Sequence, residues 1–429
     1  MATSNNIISL RRHDMDNLRT FLTGLVTVHH TSIAYGGSGG WLVKSAAVVG
    51  TSPLVTGFNM FNQSFFMGLF FWISGRVSAQ SLEKTTDYGA FLKNKALRLG
   101  IPAVAYTLVV NPIAYLMVLP SLDLESISIC LRHYYTNLDG VRGAVWYTVT
   151  LLCFDAIAVL VKKASQHQQH KASRADKVAK YGDLKNYGWL AVVLCSFLVK
   201  TQYPVGTFLP IIRLQPAYAF QYVYAYTLGY LAYTAGEQTM NGPFDSTTTA
   251  TKAKESHDGE GSAEPMSSGS IPLSTALMIS LMSMCLIPGP RYLDSTDWLS
   301  ETMKQAFGGW TLPSFLYAFW NELAFNLLGP ALMSYFNQWH NAPATSFTWN
   351  ARYSYATFLV HTPVCVAIEC LVEKILMSSA VLNVLRGSPN WQNLGPMVMT
   401  AAVGLTSAWV SAVVGKTLLE WLPVLKKLI

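Results

Sequence analysis

The chain has 429 residues, of which 51% are hydrophobic and only 12% charged, about half the charged share of an average soluble protein. Its mean hydropathy of +0.29 argues against an ordinary soluble monomer. Lys and Arg outnumber Asp and Glu by 30 to 23, for a net charge of +7, yet the basic residues sit in short clusters between apolar runs. That pattern suits a bilayer-embedded protein and speaks against a nucleic-acid partner.

The N-terminus carries Arg11, Arg12, His13, Asp14 and Asp16 before the first apolar run, with no small-residue cleavage site after it. The first run is therefore read as a retained helix preceded by a cytosolic segment, 1–17. A membrane-spanning helix needs about 20 mostly apolar residues, and ten runs approach that length: 18–36, 58–79, 101–120, 145–161, 187–203, 216–235, 272–288, 312–336, 353–373 and 397–419. Pro102 suits the first turn of the third. The predicted fold is all-α, a polytopic membrane protein with about ten spans and both termini cytosolic. That orientation puts 18 Lys and Arg residues on the inside segments and 8 on the outside loops, as the positive-inside tendency requires. Residues 237–271 are rich in Ser, Thr and Gly and nearly free of aromatics, which predicts a disordered cytosolic linker between six helices and four.

The residues that carry chemistry are ionisable groups inside apolar runs, because burying one in hydrocarbon is costly and calls for a partner or a water-filled cavity. In the first run Arg19 and His30 are eleven positions apart, about three turns, so they share a face roughly 16 Å apart along the axis. His29 points about 80° away from it. A neutral imidazole at the depth of His30 can act as general base toward a hydroxyl; a histidine hydrogen-bonded to a neighbouring helix is the alternative. In the ninth run His361 lies about 12 Å from the cytosolic end, against about 18 Å for His30 in the first, so the two can meet. Arg76 closes the Phe70-Phe71-Trp72-Ile73-Ser74-Gly75 segment, and Lys95 and Arg98 precede the third run. With Arg19 they form four cations at the cytosolic rim, enough to hold the phosphates of a nucleotide-like ligand, although plain positive-inside anchoring explains any one of them. Glu322 and Asp155 lie inside the eighth and fourth runs, where they either orient a histidine, neutralise an arginine or bind helices together.

Other motifs carry less. Gly36-Gly37-Ser38-Gly39-Gly40 satisfies the G-x-S-x-G pattern but follows a membrane run instead of a strand, and is expected to be a flexible loop. His167-Gln168-Gln169-His170 lacks the glutamate of a zinc-protease helix. The six cysteines, Cys130, Cys153, Cys195, Cys285, Cys365 and Cys370, show no paired spacing and read as small core residues. No metal site is expected.

The ordered set of Asp16-Asn17-Leu18-Arg19 with His30 eleven residues later, Phe70 to Gly75, Lys95-x-x-Arg98-Leu99-x-x-Pro102, Val145-Trp146-Tyr147 before Leu151-Leu152-Cys153-Phe154, and Ser354-Tyr355 with His361-Thr362-Pro363 resembles the acyltransferase 3 family of multi-pass membrane proteins. The resemblance spans about residues 14–372. It implies an acyl-CoA-dependent O-acyltransferase, with acyl-CoA (acetyl-CoA foremost) as co-substrate and no bound cofactor. It makes His30 the catalytic base, Arg19 its motif partner, and Lys95 and Arg98 contacts for acyl-CoA; His361 or Ser74 would then supply the oxyanion donor. Bacterial polysaccharide-modifying members carry a fused extracytoplasmic hydrolase-like domain; here none follows the tenth run, Lys95 stands where arginine is common, and the 237–271 insertion is long. These departures favour a small lipophilic hydroxylated acceptor, such as a terpenoid or another secondary metabolite, as in fungal members of similar layout. The expected location is the endoplasmic reticulum or another endomembrane. A polysaccharide or sugar O-acetylase, and a transporter or lipid-binding membrane protein, are the alternative readings.

Overall fold

The computed structural model describes residues 12–167, 173–236, 271–287, 298–345, 349–376 and 378–422. Among them there is no β-strand, only an isolated bridge between Gly140 and Ile211, and each of the ten apolar runs lies on a helix. The runs in the first half correspond to α1 (His13–Ala34), α2 (Pro53–Glu83), α3 (Tyr88–Met117), α5 (Gly143–Gln166), α6 (174–202) and α7 (Pro216–Ala235). A short helix, α4 (Leu124–Thr136), sits between α3 and α5. The second half begins with α8 (Leu273–Met284) and α9 (Trp298–Ala306), continues through α10 (Leu312–Trp339) and α11 (Ser354–Leu376), and ends with α12 (Ser379–Gly387) and α13 (Pro389–Trp421). Of these, α3, α5, α11 and α13 are long and apolar enough to cross a membrane. The twelve residues of α8 reach only about 18 Å at 1.5 Å per residue. The predicted linker 237–271 lies outside the described residues except for Ile271, as do residues 168–170 of the His167 to His170 segment.

Helix α3 departs from the sequence expectation. It starts at Tyr88, where the Asp87 side chain accepts from the amides of Gly89 and Ala90, so Pro102 lies in the helix interior instead of its first turn. A proline there lacks its N–H and collides with the carbonyl four residues back. The helix absorbs this by widening into π turns at Ala96–Gly100 and Tyr106–Val110, just before Pro102 and Pro112. The two carbonyls that the prolines cannot serve find other donors. Tyr355 donates to the Arg98 carbonyl at 3.2 Å and Tyr135 to that of Leu108 at 2.7 Å. The latter comes from α4, whose first turn is capped by Asp123; hydrogen bonds from Ser121 and Ser126 hold that carboxyl down at about 2.

Two close approaches fix the interior. A Cβ on Gly75 of α2 would stand 2.1 Å from the Tyr226 carbonyl oxygen of α7, and one on Gly229 of α7 would stand 2.0 Å from that of Trp72. The two helices therefore cross backbone to backbone, with Phe71 stacked on Tyr222 at 4.8 Å beside them. In the same way Gly404 of α13 packs on Val28 of α1, and Gly415 on Thr357 of α11, which draws α1, α11 and α13 together. Three of the buried threonines of α1 are accommodated by bonds within the helix: Thr20, Thr23 and Thr27 donate to the carbonyls of Asp16, Arg19 and Thr23.

Candidate active site

The α1–α11 contact brings His30 and His361 together. Their rings stack with centroids 5.3 Å apart and planes 24° off parallel, so two histidines 331 positions apart in the chain form one feature. Nδ1 of His361 lies 2.6 Å from the Phe358 carbonyl oxygen and must carry the proton to donate to it. In a neutral ring this leaves Nε2 as an acceptor, and that Nε2 is buried with no partner, as is Nδ1 of His30. A neutral His361 of this tautomer therefore has no proton to offer an oxyanion, and it suits the role of proton acceptor better than the donor role given it above. His29 turns away as its spacing requires. It packs on Phe66 and meets Asn59 of α2, which also donates to Ser32.

The loop after α1 closes on this pair. Trp41 stacks on His30 at 4.8 Å, nearly parallel, and its indole N–H donates to Glu369 of α11 at 2.7 Å. The glycines ahead of it form a set turn instead of a loose one. Gly36 and Gly39 take positive φ, and a Cβ on Gly37 would lie 2.0 Å from the Asn59 side chain.

The four cations do not form a single free cluster. Arg19 bonds Asp16 at 3.2 Å and reaches the Ala351 carbonyl at 3.5 Å, while its Nε is buried without a partner. Arg76 lies over the Tyr233 ring, and Arg98 is exposed. Lys95 turns inward: its ammonium is 2.8 Å from Asp155 and 2.9 Å from the Ser78 hydroxyl, and Tyr226 donates to the other oxygen of Asp155 at 2.7 Å. Asp155 thus binds α5 to α3 and α7 and orients no histidine. Ser74 is held at 2.6 Å by the Tyr147 hydroxyl. Glu322 accepts from Asn321 at 3.1 Å and Gln221 at 3.4 Å, beside the fully buried Lys200, whose ammonium sits 4.4 Å above the Tyr317 ring.

A family model for an acyltransferase domain, that of acyltransferase 3, matches residues 12–415. The chain belongs to the acyltransferase 3 family. Comparison with curated proteins and with solved structures gives no match. Membership makes this chain a membrane acyltransferase, consistent with the four long apolar helices among the described residues.

Of the residues singled out from this acyltransferase's sequence, His30 and His361 meet directly, Lys95 and Asp155 meet each other, and Glu322 stands in a separate polar cluster. The sequence reading passed over Lys200 and Glu369, although each is a charged group inside an apolar run and the same rule applied to both. Trp41 gave no such signal, because a tryptophan in a loop looks like any interfacial anchor. A cavity of about 580 Å³ lies among α2, α5, α6 and α7, walled by Phe154, Ile157, Val223 and Tyr226, with Lys162 and Lys177 at one end. Neither histidine lines it.

Proposed function

We propose that this acyltransferase transfers an acyl group, acetyl foremost, from acyl-CoA to a hydroxyl of a small lipophilic acceptor such as a terpenoid, with His30 as the general base. The observation that carries this is the stacked His30–His361 pair with one unpartnered buried nitrogen on each ring, since buried ring nitrogens that no protein group serves are placed to exchange a proton with a substrate hydroxyl. The protein crosses an endomembrane ten times with both termini in the cytosol, and acyl-CoA enters from the end of α1 that bears Arg19. Arg19, Arg76 and Arg98 carry its phosphates, and the pantetheine arm leads the thioester toward His30.

The reaction runs in a ternary complex with no acyl-enzyme. His30 takes the acceptor's hydroxyl proton as the oxygen attacks the thioester carbonyl. The new C–O bond forms, the C–S bond breaks, and the proton passes from His30 to the departing thiolate to give free CoA. His361 holds the imidazole in place and faces the same space with Nε2.

The test compares the wild type with His30→Ala in one host, reading extracted metabolites by mass spectrometry for a paired loss and gain of one acyl mass. The product is expected with wild type only, while both proteins insert in membranes. Turnover by His30→Ala within a few-fold of wild type would sink the assignment, and substrate uptake without thioester loss would replace the enzyme reading with a transporter.

A further inference from the structure

The loop between α1 and α2, residues 35–52, is fastened far more firmly than a connection needs to be. Its Ala46 amide donates to Glu373 of α11 at 3.0 Å, and its Ala46 carbonyl takes two bonds from Arg386 of α12, at 2.9 and 2.7 Å. The Ala47 carbonyl accepts from the Trp391 indole of α13 at 3.1 Å, and the Val49 amide donates to Gln392 at 3.2 Å. Three later helices thus hold the loop against the end of α1. What this places over His30 is Trp41.

Glu369 is fully buried, and one of its oxygens takes the Trp41 indole N–H. A buried carboxyl is an expensive way to secure a surface loop. What the carboxyl adds is direction, because the 2.7 Å bond at the indole nitrogen, together with the side chain's own tether to the backbone, gives the ring two points of attachment and limits how it can turn. The indole plane lies 14° from the imidazole of His30, at stacking distance. We propose that Trp41, oriented by Glu369, is a positioning residue that sets the ring plane of His30 and walls its chamber on the loop side. Substrates then do not approach through residues 35–52. The proposal rests on His30 being the base, and it adds a chain of command from α11 through the loop to α1.

Four variants test the positioning role. Trp41→Phe keeps a stacking ring but loses the N–H, Glu369→Leu loses the acceptor, and Glu369→Gln restores an acceptor oxygen. A base displaced by a fraction of an ångström loses about 10- to 100-fold in rate. That loss is expected in kcat for Trp41→Phe and Glu369→Leu, with KM for acyl-CoA within about twofold of wild type. Glu369→Gln should recover most of it, and the double variant Trp41→Phe/Glu369→Leu should be no worse than Glu369→Leu alone, since both break one bond. Wild-type kcat in Glu369→Leu, or losses that multiply in the double variant, overturn the proposal.

The wall is read without turnover. His30→Cys is treated from the loop side with a membrane-impermeant maleimide, and the peptide bearing residue 30 is weighed. Modification is expected only when Trp41→Ala is also present. Equal labelling with Trp41 intact overturns the wall. Turnover by His30→Ala would instead remove the base and the positioning role with it, while the labelling still decides whether Trp41 covers residue 30.

Discussion

Lys95 shows how a side chain's meaning depends on what stands opposite it. Read along the chain, it is one of several cations at a cytosolic rim; in the fold its ammonium meets Asp155, a carboxyl with no exposure. Removing one partner of such a pair leaves a charge without compensation, at a cost of about 3–5 kcal/mol, whereas replacing both with apolar groups is often near neutral. Lys95→Ala should therefore lower the thermal midpoint in detergent well below that of the double variant Lys95→Met/Asp155→Leu. The double variant should keep wild-type KM for acyl-CoA; a KM several-fold higher in a stably folded protein would return Lys95 to the phosphates. The histidines were more legible. The eleven-residue spacing placed Arg19 and His30 on one face without any knowledge of neighbours, because helix geometry alone sets it. The nitrogen left free on His361 was not legible, since it depends on the carbonyl that Nδ1 meets.

At the scale of elements, hydrophobic length marked the helices and local chemistry shifted their ends. The run at 216–235 matches α7 residue for residue, but α3 extends thirteen residues earlier than its run and α6 likewise. The stretches before their runs carry charges, Lys93, Lys95 and Arg98 in α3 and Asp176, Lys177 and Lys180 in α6, and form helix through caps and packing, which an apolar count does not register. The Phe70 to Gly75 motif has a plain mechanical component: Gly75 and Gly229 let α2 and α7 touch backbone to backbone. Gly229→Val must push the helices apart. Overpacking of this kind costs about 1–3 kcal/mol, so the thermal midpoint should fall. Activity should fall as well, because Ser74 and Tyr147 lie beside the α2–α7 crossing, whereas Gly182→Val, where a Cβ meets nothing within 4 Å, should leave both midpoint and activity near wild type. Equal activity in the two variants would separate the crossing from the chemistry.

For the whole molecule, the proposed ten-span arrangement makes a direct statement about sides. The loop at Val49 and the segment at Ser165, both exposed, should face opposite aqueous compartments. Cysteines placed at the two positions are expected to react with an impermeant reagent from opposite faces of sealed vesicles, Ser165→Cys from the cytosolic one; labelling from the same face would remove the proposed topology. By itself the sequence determined that the chain is helical and membrane-embedded, where its apolar runs fall, and which family it belongs to. Those properties are set by composition, by helical period and by short motifs, all of which act locally. Only the tertiary structure decided that His30 meets His361, that Lys95 belongs to Asp155, and that Trp41 of a glycine-rich loop is held over the histidine pair by Glu369. Each of these joins residues far apart in the chain, and the pairing of distant side chains is chosen by how whole helices pack, which no local pattern encodes.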